Sequence, residues 1–224
     1  MASSSYFTPE LFVFLRQLKR NNRRDWFQRN KPRYEAVVRD PCLRFIADLA
    51  EPLAQISTWL NVDPRPMGGS LFRIYRDIRF SDDKRPYKTH IGMHFSVRAP
   101  NQDIHSPGYY LHLEPEGCFV AAGIWRPETR TLLKIRDAIV RQPDAWAKAK
   151  RGLELEGDTL SRPPRGYDPK HRFIEDLKFK DFLASESFSD AAICRGKFLA
   201  EVTAACRRLS PLMQFLAQAL GLKY

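Results

Sequence analysis

The spacing of the apolar residues changes twice along this chain, and those changes restrict the fold more than any other feature. Between residues 8 and 60, apolar residues recur at helical spacing, as in Leu11, Leu15 and Leu18. Between residues 91 and 97 they alternate with other residues, which is typical of a half-buried strand. Helical spacing returns after residue 128. Helices followed by strands and then by helices predict an α+β fold.

Two further strands are predicted at Tyr109–Glu114 and Phe119–Trp125, joined by the turn Pro115-Glu116-Gly117. So short a connection favours antiparallel pairing, because parallel neighbours need a long crossover. We therefore predict a single domain over residues 1–224, with a central, mostly antiparallel sheet flanked by N-terminal and C-terminal helices. Its helical N-terminal part covers 8–60, its sheet-forming centre 68–126 and its mixed C-terminal part 128–224.

Two prolines are expected to interrupt helices. Pro52 lies inside a helical pattern, which predicts a kink or a break there. Towards the end of the chain, a helix that starts at Asp190 is predicted to run through Arg207. Pro211 is then expected to start a last helix that ends at Gly221.

Composition indicates a basic protein of the cytoplasm. The formal net charge is +11, which either attracts polyanions such as nucleic acid and phosphorylated metabolites or serves general solubility. The four cysteines form no C-x-x-C pair, so we expect buried, reduced thiols. We identify no secretory signal and no apolar run of bilayer length, and predict no membrane association. No cofactor is predicted, and the oligomeric state is left open.

The segment Arg73–Lys88, RIYRDIRFSDDKRPYK, is the strongest candidate for a site. It mixes six basic and three acidic residues with large apolar groups such as Ile74 and Tyr75. A solvated charge run gains nothing from so many apolar residues. A core strand would have to pair every buried ion or lose several kcal/mol. Charges and aromatic residues together therefore indicate a functional segment.

We interpret the segment as a cationic pocket for a ligand that carries a phosphate or carboxylate. If Leu71–Asp77 is a strand, Arg73 and Asp77 share one face and Arg76 lies on the other, so the arginines cannot all converge. The candidate ligand-binding residues are Arg73, Arg76, Arg79, Lys84 and Lys88. The candidate catalytic residues, should the protein be an enzyme, are Asp77, Asp83, Lys84, Tyr87 and His112, with Tyr87 or His112 as the proton donor.

The face of the hairpin that carries His112 is a second candidate region. Tyr110 and Glu114 share that face with it, and the small residues Ala121 and Gly123 lie opposite on the partner strand. Small residues either leave a recess for a ligand or admit a packing helix, and we favour the helix. His90 and His94 are not predicted to bind zinc together, since four strand residues separate them by roughly 13 Å. No metal site is predicted.

Three alternatives to a cationic pocket stay open. Asp77 with Asp82-Asp83-Lys84 weakly resembles a metal-dependent hydrolase site, a possibility we rank low. A nucleic-acid-binding protein is indicated by the basic residues of 16–33 near Trp26 and Tyr34. Alternatively, the segment is an internal ion-pair network, with Arg73 paired to Asp77 and Arg79 to Asp83, in a structural or interaction protein.

The pattern R-x-x-R-D-x-R-F-S-x-D-K-x-P-Y-K, from Arg73 to Lys88, resembles the signature of an uncharacterised family of conserved hypothetical proteins of bacteria and fungi. The resemblance extends to 68–72, 108–115, 123–127 and 162–167, so it covers nearly the whole chain. The family is catalogued as a domain of unknown function. The resemblance therefore implies no particular activity, cofactor or substrate.

Overall fold

The computed structural model describes residues 5–79, 81–98 and 106–224. Phe80 of the signature segment lies outside the described residues. The helices and strands follow in the order α1 (Pro9–Arg20), α2 (Arg24–Tyr34), a π-helical segment (Glu35–Arg39), α3 (Asp40–Ala54), β1 (Ile91–Ser96), β2 (Gly108–Leu113), β3 (Cys118–Ile124), α4 (Thr129–Arg141), α5 (Pro143–Ala149), α6 (Ile174–Leu177), β4 (Phe182–Phe188), α7 (Asp190–Ile193) and α8 (Phe198–Ala219).

The four strands form one antiparallel sheet in the order β1-β2-β3-β4. The turn at 114–117 joins β2 to β3 and fixes their register, so that Tyr110 lies opposite Ala121 and His112 opposite Phe119. The predicted hairpin and its pairing are confirmed. The predicted α+β class, with one domain and helices flanking the sheet, is confirmed as well.

One face of the sheet is the floor of the hydrophobic core, and α8 packs against it. Tyr109 of β2 is fully buried on this face and donates a hydrogen bond from its hydroxyl to the carbonyl of Cys206 in α8, at 2.9 Å. Because strand side chains alternate between faces, Tyr110 and His112 point to the other side of the sheet. We call that side the open face. It carries Gly92, His94, Gly108, Tyr110, His112, Phe119, Ala121 and Gly123.

The helix break predicted at Pro211 is wrong, because α8 runs through that residue from Phe198 to Ala219. Pro211 is exposed, so water can bond the carbonyl of Arg207 that loses its N–H partner. Leu209 and Leu212 on either side are fully buried, and their packing keeps the helix intact. Pro52 causes no break either, since it lies in the last turn of α3, which ends two residues later.

A regular strand over Leu71–Asp77 is also absent. Leu71 forms a single bridge with Met93 of β1, and Tyr75 forms another with Tyr87. The segment therefore touches the edge of the sheet once and then pairs with its own second half. In the described parts of the chain, no helix is both long enough and apolar enough to cross a lipid bilayer.

Candidate functional site

The signature segment folds back on itself as a short hairpin. The N–H of Arg76 donates to the carbonyl of Pro86 at 2.9 Å, and the N–H of Lys88 donates to the carbonyl of Ile74 at 2.8 Å. The chain between these pairs, residues 76–86, projects from the domain, and we call it the signature loop. Lys88 follows directly after the hairpin and leads through His90 into β1.

The apolar residues of the segment anchor the loop to the helical layer. Tyr87 is 2% exposed and stacks on Phe27 of α2, with ring centroids 4.1 Å apart. Asn22, between α1 and α2, accepts from the N–H of Tyr87 at 3.0 Å and donates to its carbonyl at 2.9 Å. Ile74 is buried as well. Of the apolar groups that suggested a ligand site, Ile74 and Tyr87 thus belong to the core, whereas Tyr75 remains exposed.

The charged residues of the signature loop pair with one another. Asp83 accepts hydrogen bonds from Arg76 and from Arg85, and these bonds hold the pKa of its carboxyl well below the usual range. Asp77 accepts from Arg79 at 2.7 Å, which lowers the pKa of Asp77 to about 2. The expected pairs of Arg73 with Asp77 and of Arg79 with Asp83 are therefore replaced by other pairs. Each aspartate bonds the arginine two residues beyond it.

The five cations predicted to bind the ligand do not converge on one point. Arg76 and Arg79 are held by the aspartates, and Lys84 Nζ donates to the carbonyl of Ile78 at 3.2 Å. Arg73 is exposed. Of the five, Lys88 alone lines a cavity, which lies on the open face of the sheet.

The predicted catalytic residues are likewise separated. Asp77, Asp83 and Lys84 lie on the signature loop. Tyr87 is buried in the helical layer, where burial raises the pKa of its hydroxyl. His112 lies on the open face of the sheet. The structure brings none of the loop residues to His112, so these five do not form one catalytic centre.

A cavity of about 450 Å³ lies on the open face of the sheet. Its floor is formed by His94, Gly108, Tyr110, Ala121 and Gly123 of β1, β2 and β3. Its walls come from loops and from further strand residues: Phe72, Lys88, His90, Ser106, Phe119, Ala122, Trp125, Glu156 and Leu183. None of these residues belongs to a helix. The recess on the small-residue face is therefore present, and the helix that we favoured there does not fill it.

Glycine at two positions of the open face leaves room for larger neighbours. A Cβ added to Gly92 would lie 2.6 Å from the hydroxyl of Tyr110, and one added to Gly108 would lie 2.5 Å from Nε2 of His94. Both rings therefore lie close over the backbone of the neighbouring strand. Side chains at these glycines would push the rings into the cavity.

The cavity is largely aromatic, with one strongly basic group. Lys88 Nζ lies 5.3 Å from the centre of the Phe72 ring, in cation–π range. Burial, and next the charge of Arg73, lowers the pKa of Lys88. Among the described residues, no carboxylate lies within ion-pair distance of its ammonium group. Burial also lowers the pKa of His94 to about 4, so that His94 is neutral at pH 7.

A buried carboxylate holds the far rim of the cavity. Asp181 is 5% exposed and accepts hydrogen bonds from the backbone N–H groups of Arg126 and Asp158. Arg126 follows Trp125, and Asp158 lies two residues beyond Glu156. The side chain of Asp181 therefore fixes both short segments that carry the rim residues Trp125 and Glu156.

His90, His112 and Glu114 cluster beside the cavity, and one ligand atom from each lies within 4.8 Å of the others. The ring of His112 stacks between His90, at 4.5 Å, and Phe119, at 4.8 Å. Sequence reasoning weighed His90 only with His94, which lies in β1, whereas His90 directly precedes that strand. The diagonal pairing of His90 with His112 depends on the β1–β2 register, where Gly92 lies opposite His112.

The basic helical region, residues 16–33, supplies positive charge, but the two aromatic residues expected to stack on bases, Trp26 and Tyr34, take part in packing. Tyr34 is buried, and Trp26 packs against Phe14. Several of its cations already have carboxylate partners, for example Arg16 with Asp190 and Arg33 with Glu10. Tyr34 is thus held within the core, and Trp26 is partly buried against it.

Comparison with known proteins gives a family and no activity. The sequence model of a family described as "Conserved hypothetical protein (DUF2461)" matches residues 10–215. No curated protein and no solved structure matches the chain.

Proposed function

We propose that this chain, which belongs to the DUF2461 family of conserved hypothetical proteins, binds a small organic anion in the cavity on the open face of the sheet. The ligand carries a phosphate or carboxylate group that pairs with Lys88 and an apolar or aromatic body that packs on the cavity walls. The observation that carries the proposal is a half-buried ammonium group facing a cavity, with no carboxylate partner in the described chain.

The size of the cavity supports a small-molecule ligand. Ligand pockets commonly measure about 300–1,000 Å³ and are mainly apolar, with a few polar groups that fix orientation. The volume of about 450 Å³ falls within this range. Phe72, Tyr110, Phe119 and Trp125 supply aromatic surface, and Lys88 supplies the orienting charge.

The electrostatics of the cavity favour a negative group at Lys88. Partial burial removes water from the ammonium group without supplying a protein anion, and this cost appears as its lowered pKa. A phosphate or carboxylate would restore a charge-assisted hydrogen bond, typically worth about 1.5–3 kcal/mol. The neighbouring neutral imidazole of His94 can also donate or accept a hydrogen bond.

For the signature loop itself we propose a structural role. Its arginines and aspartates bond one another, and Tyr87, the residue directly after it, is anchored to the helical layer. The loop thereby fixes the start of the segment that carries Lys88 and His90 into β1. The internal ion pairs are therefore confined to the signature loop, and Lys88 stays available to pair with the ligand.

We place the protein in the cytoplasm. The support for this proposal is that Cys42, Cys118, Cys194 and Cys206 are all free, as expected in a reducing compartment. Burial raises the pKa of the Cys118 thiol to about 12, which keeps it protonated and unreactive.

Calorimetric titration with phenyl phosphate tests the ligand proposal. We expect wild-type protein to bind phenyl phosphate, and Lys88→Met to weaken binding by about 10- to 100-fold because one charge-assisted hydrogen bond is lost. Lys84→Met is the matched control, because it removes the same charge from the exposed signature loop and should leave affinity unchanged. Equal affinities for wild type and Lys88→Met would contradict the proposal.

Two simpler probes show whether both halves of the ligand matter. Inorganic phosphate carries the charge without the ring, and phenol carries the ring without the charge. We expect each to bind more weakly than phenyl phosphate. If inorganic phosphate binds as tightly as phenyl phosphate, the aromatic walls contribute nothing and the proposed site is wrong.

A further inference from the structure

The ligand atoms of His90, His112 and Glu114 lie within 4.8 Å of one another, and the separation of His112 from Glu114 is longer than an ordinary hydrogen bond. Nε2 of His112 lies 3.4 Å from Oε2 of Glu114. A good N–H···O hydrogen bond is shorter, at about 2.7–3.2 Å. Ligand bonds of about 2.0–2.2 Å around a tetrahedral zinc ion place neighbouring ligand atoms about 3.3–3.5 Å apart. The observed separation therefore fits two ligands of one metal ion.

The other atoms of both side chains are held by neighbours, as metal ligands usually are. The hydroxyl of Tyr110 lies 3.1 Å from Nδ1 of His112, so it can accept the proton of that nitrogen and leave Nε2 free. Lys19 Nζ lies 3.9 Å from Oε1 of Glu114, the oxygen that faces away from His112. Such outer contacts orient metal ligands and fix the histidine tautomer.

We propose that His90, His112 and Glu114 form a binding site for zinc or a similar divalent cation. Two imidazoles and one carboxylate are a ligand set that zinc accepts, and three protein ligands leave one position for water or another molecule. His90 belongs both to this cluster and to the cavity wall. The site goes beyond the proposed ligand function, and its other two ligands, His112 and Glu114, do not line the cavity.

Two cationic side chains, those of Lys88 and Arg76, lie close enough to act on His90, and their charges oppose a bound cation. We consequently expect weaker affinity than that of closed structural zinc sites.

Calorimetric titration of the metal-stripped full chain with zinc chloride tests this proposal without any organic ligand. We expect one zinc ion per chain and a higher melting temperature in its presence. Glu114→Gln keeps the shape of the side chain and should lower zinc affinity by more than about 100-fold, as should His90→Gln. His94→Gln, a partly buried histidine of the same sheet face outside the cluster, should bind zinc like wild type.

Tyr110→Phe tests the outer contact to His112. Loss of such a partner typically lowers metal affinity by about 10- to 100-fold, and we expect that loss with the stoichiometry unchanged. The proposal is overturned if wild-type protein takes up no zinc, or if Glu114→Gln and His90→Gln both bind it as wild type does. Binding of phenyl phosphate to metal-free protein is measured separately, so failure of one proposal leaves the other standing.

Discussion

Tyr87→Ala will lower the free energy of unfolding by about 3–5 kcal/mol, the loss typical of truncating a large buried aromatic residue. Tyr87 is 2% exposed and stacks on Phe27, and its ring also contacts Tyr75 at a centroid distance of 5.4 Å. Removal of the ring leaves a space between the helical layer and the hairpin that these rigid neighbours cannot fill. Urea unfolding followed by circular dichroism measures the change.

Two control variants separate packing from charge in this prediction. Tyr87→Phe keeps the ring and should change the free energy of unfolding by less than about 1 kcal/mol, since the hydroxyl has no hydrogen-bond partner among the described residues. Lys84→Ala removes an exposed cation of the signature loop and should change it by no more than about 0.5 kcal/mol. A loss below about 1 kcal/mol for Tyr87→Ala would show that the segment is not anchored by its aromatic residues.

Ala121→Trp is expected to abolish binding of phenyl phosphate, with an affinity loss of more than about 100-fold. Ala121 lies on the floor of the cavity, between Tyr110 of β2 and Ser185 of β4. An indole at this position would occupy the space that the ligand requires. Because the cavity is open on the sheet face, the larger side chain should cost no more than about 1–3 kcal/mol of stability.

Ser187→Trp is the matched control for the filled cavity. Ser187 is exposed and lies opposite Phe119 on the same face of the sheet, outside the cavity lining. An indole there adds the same surface without entering the cavity, so affinity for phenyl phosphate should stay within about threefold of wild type. If Ala121→Trp binds as tightly as Ser187→Trp, the ligand lies elsewhere.

The hairpin and its register were predictable because local rules decide them. So short a turn permits little variation, so alternation alone placed His112 opposite Phe119, as the structure confirms. The long helix α8 was not predictable in the same way. The rule that proline ends a helix is local, whereas the buried leucines on both sides of Pro211 gain their packing energy from distant parts of the fold.

The site was only partly predictable for a similar reason. The sequence shows a dense group of charges, yet the choice between pairing with a ligand and pairing within the loop depends on backbone geometry. Each aspartate bonds the arginine two residues on because the loop bends back at that point. Phe72, Trp125 and Glu156 reach the cavity from three separate loops, and nothing in their local sequence marks that meeting.

His112 illustrates how alternation limits a prediction. The pattern identified its face and its small neighbours, and a recess was one of the two outcomes considered. Whether a helix filled the recess depended on where α8 packs, and α8 packs against the opposite face of the sheet. The position of His90 beside His112 depended on which strand pairs with β2, which short-range patterns do not determine.

A crystal structure of the protein with phenyl phosphate tests the central claim most directly. The claim predicts a phosphate oxygen about 2.7–2.9 Å from Nζ of Lys88, with the phenyl ring among the aromatic walls of the cavity. A phosphate bound by the arginines of the signature loop, with the cavity holding no ligand, would contradict it.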